Sequence, residues 1–502
     1  MAGWVLRIRS PRVRDGRGDD GAVVRASTPI QALRELAAVV GDRHVISDAL
    51  DPFRHDATFI DGELIAAVLP GTTAEVSEVM KVCHHHRIPV VARGGGSSLV
   101  GGSVPLGGGI VLSLERMSGI EIDTDNVCAV AEAGAITGRI QEEAALHHLM
   151  YPPDPASASM SSIGGNVACN SGGPSCLKYG VTADYVMGMT VVLADGQVLR
   201  LGGRTRKRSS GYRLAHLFIG SEGTLGIVTE VTLKLIPLPQ HRATAIVSFR
   251  TATHAAEAVA RLMGSGHLPA ALELMDRGAL ELVEHLLPPG LGTDAGCVLL
   301  IEQDGASPEQ VQNDIEAMIV VVDGIDNRLA QSGSERDKLW NARRGFGKVL
   351  MAMRKNYFAE DLSVPISAIP EMLARIDRLA VETGMKIPVV AHAGAGNVHP
   401  AIVFDDHQRS LVGPAAARLF ADAVELGGSI SGEHGLGLLK RDHAAQEHSA
   451  LEFDLMRQLK ALMDPNGILN PHKVFPEEPA DGAFLDRQPG WRAGQGRSEI
   501  GD

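Results

Sequence analysis

Ile88-Pro89-Val90-Val91-Ala92-Arg93-Gly94-Gly95-Gly96-Ser97-Ser98 decides the fold: a short apolar strand runs directly into a glycine loop. Such a loop can cradle a pyrophosphate, because its backbone N–H groups are not shielded by side chains. Just upstream, Thr72-Thr73-Ala74-Glu75 reads as a capping box, and Val76, Val79, Met80 and Cys83 then recur on one helical face. The order is helix, strand, glycine loop. Leu99 stands where the third glycine of a dinucleotide fingerprint belongs, and Gly101-Gly102-Ser103-Val104-Pro105 would break the helix that must follow. A nicotinamide site is therefore excluded. A P-loop is excluded as well, since no Gly-Lys-Ser/Thr follows.

Moving outward, apolar strands are expected at 110–114 and 127–131, and a hairpin turning on Asp195-Gly196 joins 189–194 to 197–201. From Ile227 the period is two through Thr229, Val231, Leu233 and Leu235, ending at Pro237 and Pro239, where a domain boundary fits. Beyond it, strand-like runs (243–249, 297–302) alternate with helical ones (255–263, 309–321), the pattern of a second α+β unit. Asp464-Pro465-Asn466-Gly467 is a strong turn near the end.

A chain of 502 residues exceeds what one hydrophobic core supports. Its net charge of −13 gives no field that would draw it to nucleic acid. Cys83, Cys128, Cys169, Cys176 and Cys297 form no CxxC pair, which reads as reduced thiols in a cytoplasmic protein without an iron–sulfur frame. No run of about 18 apolar residues is present to span a bilayer. The expectation is a cytoplasmic protein, with contact to a membrane peripheral at most. The basic segment Arg7 to Arg17 lacks the apolar core of a secretory signal and reads as part of a disordered arm.

Two further glycine clusters need explaining with the first: Ser161-Ser162-Ile163-Gly164-Gly165-Asn166 with Asn170-Ser171-Gly172-Gly173, and Gly220-Ser221-Glu222-Gly223-Thr224-Leu225-Gly226. Three such loops imply an extended ligand. With Tyr151-Pro152-Pro153-Asp154-Pro155, Ser431-Gly432-Glu433-His434-Gly435 and Asp464 to Pro471 in the same order, the chain resembles the FAD-linked 2-hydroxyacid dehydrogenases, which include D-lactate dehydrogenase and the glycolate oxidase flavin subunit, within the vanillyl-alcohol oxidase flavoprotein superfamily. The resemblance runs from about Asp51 to Val474.

It implies an α+β fold, with a two-part FAD-binding domain of the vanillyl-alcohol oxidase type and an α+β cap domain with an antiparallel sheet. The expected division is a disordered arm at 1–27, the FAD-binding domain at 28–240, the cap at 241–430, a segment returning to the flavin at 431–476, and a disordered tail at 477–502. FAD would be held, dissociably, by Arg93, Gly94, Gly95, Gly96, Ser97, Ser98, Gly102 and Ser103 at the pyrophosphate. Pro153, Asp154, Ser162, Gly164, Gly165, Asn166, Gly172, Gly173, Gly220, Glu222, Gly223, Gly226, Ile227 and Val228 would line the rest, and Asn470 would lie near the isoalloxazine.

His392-Ala393-Gly394-Ala395-Gly396-Asn397-Val398-His399 places two histidines around a glycine turn between apolar strands. Neutral imidazoles suit Zn, Mn or Fe, and a nearby carboxylate, Glu433, would complete a set of three with open positions. The resemblance implies that same ligand set, with His434 as base and Arg343 as the receptor of the substrate carboxylate. Relatives carry Asp where this chain has Ala395, so metal binding is expected to be weakened unless Asp361 or a water compensates. Relatives that take larger diacids carry a lysine near Ala359, and Lys355 is out of register, which favours a monocarboxylate. His84-His85-His86 is expected to end a solvated helix.

The implied chemistry is oxidation of D-lactate, glycolate or D-2-hydroxyglutarate to the 2-oxo acid, with hydride passing to flavin N5 and a proton to a histidine. A quinone, cytochrome or electron-transfer flavoprotein would take the electrons, and a homodimer is compatible with this reading. The alternatives are a regulatory flavoprotein subunit that has lost catalysis through Ala395, and a transferase resembling alkylglycerone-phosphate synthase.

Overall fold

The computed structural model describes residues 29–284, 295–352 and 357–476. The arm at 1–27, the tail at 477–502 and Lys355 lie outside the described residues.

Besides a short antiparallel pairing of Leu149–Met150 with Ile236–Pro237, the first domain holds two main sheets. In the smaller, Ala66–Val68, Ile110–Ser113 and Val90–Arg93 run parallel, with Val45–Ile46 antiparallel at one edge. Between Ala66–Val68 and Val90–Arg93 the chain makes the helix Thr73–His86, whose N-terminus Thr72 caps by accepting from Glu75 N. The Glu75 carboxylate accepts from Gly71 N rather than from Thr72, so the expected box closes one residue early. Val76, Val79, Met80 and Cys83 are fully buried, as their spacing requires. The larger sheet is antiparallel, ordered Ile120–Asp123, Cys128–Glu132, Ile227–Lys234, Val186–Val192, Val198–Gly202, with Asp195-Gly196 at the tip of the last hairpin.

The second domain is built on an eight-stranded antiparallel sheet that starts at His241–Phe249. Its central strands Cys297–Gly305 and Ala271–Asp276 are buried along nearly their whole length because helices cover both faces. Val247, Phe249, Leu299 and Ile301 pack toward Ala252–Gly264, Pro308–Val322 and Ile369–Thr383. The alternate residues Ile246, Val298 and Leu300 pack toward Arg277–Val283 and Gly333–Ala352. On that second face the apolar run is interrupted by Glu302 and Glu273, both buried, and by His392.

After the helix Ala450–Met463 the chain returns to the first domain. Val90 N donates to Ile468 O and Asn470 N donates to Val90 O, both at 2.8 Å, so Leu469 extends the parallel sheet and enters its core. No helix among the described residues is long and apolar enough to cross a membrane.

Candidate active site

The glycine loops are packed on one another. A Cβ on Gly94 would lie 1.9 Å from Ser162 Oγ, and one on Gly95 1.9 Å from Met160 O, so the first loop closes directly onto the second. Ser98 Oγ accepts from Gly102 N and Val100 N and turns the first loop back on itself, while Ser103 N reaches Asp56. Ser97 lies between, half-buried. The Arg93 guanidinium donates to Pro52 O, His55 O and Ser103 Oγ and lies beneath Gly96, whose φ is +65°. It buttresses the loop.

In the second loop Ser162 caps the helix Ile163–Cys169, accepting from Gly165 N, and Gly164 lies against Ala133. Asn166 donates to Thr137 Oγ1 at 2.6 Å. Asp154 accepts from Ser175 N and Oγ beside Gly173, while Pro153 O accepts from Gln141. In the third loop Gly220 and Gly223 have positive φ and Gly226 fits against Val191, leading into the buried Ile227 and Val228.

Glu222 of that loop, itself at φ 52°, accepts from Leu436 N and Gly437 N, and its carbonyl accepts from Asn470 Nδ2. Asn470 Nδ2 also donates to Gly102 O, which ties all three segments together. Asn470 Oδ1 is buried and has no hydrogen-bond partner among the described residues. A loop cradle closed to side chains, with an orphaned buried acceptor beside it, fits an extended nucleotide cofactor.

The metal candidates converge. Ligand atoms of His392, His399 and Glu433 lie within 4.8 Å of one another, with Glu433 Oε1 at 3.4 Å from His392 Nε2 and 3.6 Å from His399 Nε2. His399 Nε2 and Glu433 Oε2 are buried without a hydrogen bond. Two imidazoles and a carboxylate aimed at one point fit a divalent cation. Gly172 closes one side, since a Cβ there would lie 2.9 Å from Glu433 Oε2. His434 joins the group, with its ring 5.6 Å from that of His399 and its Nε2 3.9 Å from Glu433 Oε1.

Two buried carboxylates organise the site: Asp361, the residue expected to compensate for Ala395, and Glu273, which the sequence did not single out. Glu273, fully buried on Ala271–Asp276, lies opposite His392 in the sheet and accepts from its Nδ1 at 2.8 and 2.9 Å, which leaves Nε2 as the outward atom. The same carboxylate holds Arg343 Nη2 at 2.7 Å, while Arg343 Nε is buried without a partner. A lone glutamate in an apolar strand covered on both faces was the available signal. Asp361 faces His399 and His434 from behind. Ala395 is exposed at the turn, and the carboxylates behind the histidines come from Glu273 and Asp361. Burial works against charge on His392, yet Glu273 and Glu433 raise it to about 10. Burial and the His392 charge push His399 down to about 3. Glu433, despite burial, is held at about 2 by the histidines.

His86 corrects one expectation. The helix does end at the triple histidine and His85 is exposed, but the His86 side chain is buried and contacts Glu35 at 2.8 Å, and His84 contacts Asn466.

Residues 65–202 match the family described as FAD binding domain, and 238–474 match the C-terminal domain of FAD linked oxidases. The glycolate oxidase subunit GlcD of Bacillus subtilis is 41% identical over 82% of this chain and 89% of its own length, and that of Escherichia coli K12 is 36% identical over 91% and 93%. D-lactate dehydrogenase of Archaeoglobus fulgidus is 37% identical over 82% and 91%. Among solved structures, p-cresol methylhydroxylase (19% identity, 89% of this chain and 96% of that one) and 4-ethylphenol oxidase from Gulosibacter chungangensis (22%, 89% and 97%) both superpose with a TM-score of 0.72, which speaks to fold alone. The chain belongs to the FAD-linked oxidoreductase family of glycolate oxidase GlcD and D-lactate dehydrogenase.

Proposed function

We propose that this protein oxidises a small 2-hydroxy monocarboxylate, such as D-lactate or glycolate, to the 2-oxo acid, with FAD on the three glycine loops and a divalent cation on His392, His399 and Glu433. The observation that carries this reading is the Glu273 carboxylate, which holds a cation ligand, His392, and an anion receptor, Arg343, side by side. A hydroxy acid carries the two groups that such a pair recognises.

When bound, FAD supplies a two-electron acceptor and the cation a Lewis acid that lowers the pKa of a hydroxyl. Arg343, held by Glu273, binds the substrate carboxylate through its remaining guanidinium donors. His434 takes the hydroxyl proton. Glu273 keeps a proton on His392 Nδ1 and so fixes which nitrogen faces the cation. Ala359 offers no second charge for a distal carboxylate, which supports the choice of a monocarboxylate. Electrons then leave to a separate acceptor, such as a quinone, cytochrome or electron-transfer flavoprotein.

Anaerobic mixing with D-lactate, glycolate and D-2-hydroxyglutarate tests this. The flavin absorption is expected to bleach with a monocarboxylate, and Glu433→Gln is expected to abolish bleaching while the protein stays yellow. A flavin that no hydroxy acid reduces refutes the proposal.

A further inference from the structure

Asp361 is fully buried between the strands Tyr357–Ala359 and Leu362–Ser363. Its backbone is pinned by its neighbours, because Glu360 N donates to Pro400 O and Ser363 N to Ser429 O. Its Oδ2 accepts from three successive backbone N–H groups, those of Gly432, Glu433 and His434, each at 2.9 Å, and from Ser431 Oγ at 3.0 Å. Its Oδ1 accepts from Asn397 Nδ2 at 2.6 Å and lies 3.9 Å from His399 Nδ1, while Oδ2 lies 3.9 Å from His434 Nδ1.

Behind it the buried Lys440 donates to Asp361 O and Ile430 O and is shared between two carboxylates, at 3.8 Å from Asp361 Oδ2 and 3.3 Å from Glu360 Oε2. Gly432 is required by the same closure: a Cβ there would lie 2.1 Å from Asn397 Nδ2 and 2.8 Å from Asp361 Oδ1.

We propose that Asp361 is the positioning residue that locks loop 431–434 against the strand Asn397–Val403, so that His399, Glu433 and His434 address one point. The inference rests on the reading under Proposed function. Asp361 touches no substrate atom in this scheme and acts through the groups it holds. Two buried carboxylates thereby divide the site: Glu273 supports His392 and Arg343, whereas Asp361 supports the other two ligands and the base. Loss of Asp361 should therefore damage cation binding and proton transfer and leave the carboxylate receptor intact.

The test uses Asp361→Asn and the milder Ser431→Ala in the FAD-loaded protein, with Zn(II) affinity measured by competition against a fluorescent chelator. Asp361→Asn is expected to weaken Zn(II) binding about 10- to 100-fold with unchanged flavin content. With Zn(II) saturating, kcat is expected to fall while KM stays within about twofold, because Arg343 keeps its own support. Ser431→Ala should move both quantities the same way by less. Wild-type Zn(II) affinity and kcat in Asp361→Asn overturn the proposal, as does a rise in KM parallel to the fall in kcat. Should Asp361→Asn fail to fold, Ser431→Ala decides alone, and unchanged affinity and kcat there overturn it. If the wild-type protein binds no Zn(II) and Glu433→Gln turns over normally, the functional reading itself fails and takes this inference with it.

Discussion

Replacing Glu273 by Gln removes one negative charge and keeps the shape, at a position with no solvent to compensate. Both partners then lose a charged hydrogen bond: His392 Nδ1 at 2.8 Å and Arg343 Nη2 at 2.7 Å. Each such bond contributes about 1.5–3 kcal/mol, and stranding a buried partner of an ion pair costs about 3–5 kcal/mol. A stability loss of about 3–5 kcal/mol is a large part of the ~5–15 kcal/mol that a domain commands. The amide oxygen can still face both donors at the Oε2 place, but without the negative charge each bond is weaker, and the amide NH2 at the Oε1 place repels the His392 Nδ1–H. Metal affinity is expected to drop about 10- to 100-fold, as for other lost partners of ligand histidines. Loss of 1.4 kcal/mol or more of carboxylate recognition would raise KM about tenfold or more. Denaturant midpoint, chelator competition and steady-state kinetics read the three quantities separately. Metal affinity and KM both within about threefold of wild type would refute the claim that Glu273 organises the two sites.

Asn470→Ala removes the bonds to Gly102 O and Glu222 O, about 2 kcal/mol in all, so FAD affinity is expected to fall about thirtyfold; flavin fluorescence on dilution measures it, and unchanged retention contradicts the role assigned to Asn470. Burial pushes Asp276 up to about 7, although its carboxylate caps Arg277–Val283 by accepting from Ala279 N. Its folded pKa lies above the ordinary value near ~3.9, so its contribution is full below about pH 4 and is lost as pH rises toward 7. Asn caps without titrating. The Tm of Asp276→Asn minus that of wild type should therefore grow as pH rises across that window, and a difference independent of pH counts against this.

Much of the site was legible because its parts are local. The glycine loops, the histidine pair and Ser431-Gly432-Glu433-His434-Gly435 each carry their meaning within about ten residues, and strands such as Val90–Arg93 and Ile227–Lys234 follow from β-branched runs. Glu273 was not legible as a partner of His392, because the two are 119 positions apart and meet only through antiparallel register, which no local pattern reports. The partners of Arg93 were hidden for a related reason: besides Ser103 Oγ of its own loop, its guanidinium reaches the carbonyls of residues 52 and 55, some 40 positions away. The exposure of Ala395 at its turn is likewise something the motif alone does not report.

Leu469, which joins the parallel sheet beside Val90, has a bearing on how the protein is made. The two residues are separated by most of the chain, so a nascent polypeptide that already contains all three glycine loops still has Val90 as an unpaired strand edge and a core with a missing wall. Such open edges are where chains pair with the wrong neighbour, and the long loop to be closed makes the correct pairing slow. Synthesis from the N-terminus thus cannot finish the first domain before the second has emerged. The cofactor-binding half matures last, and chains interrupted within the helix Ala450–Met463 are expected to be substrates for chaperones or proteases rather than stable, flavin-loaded fragments.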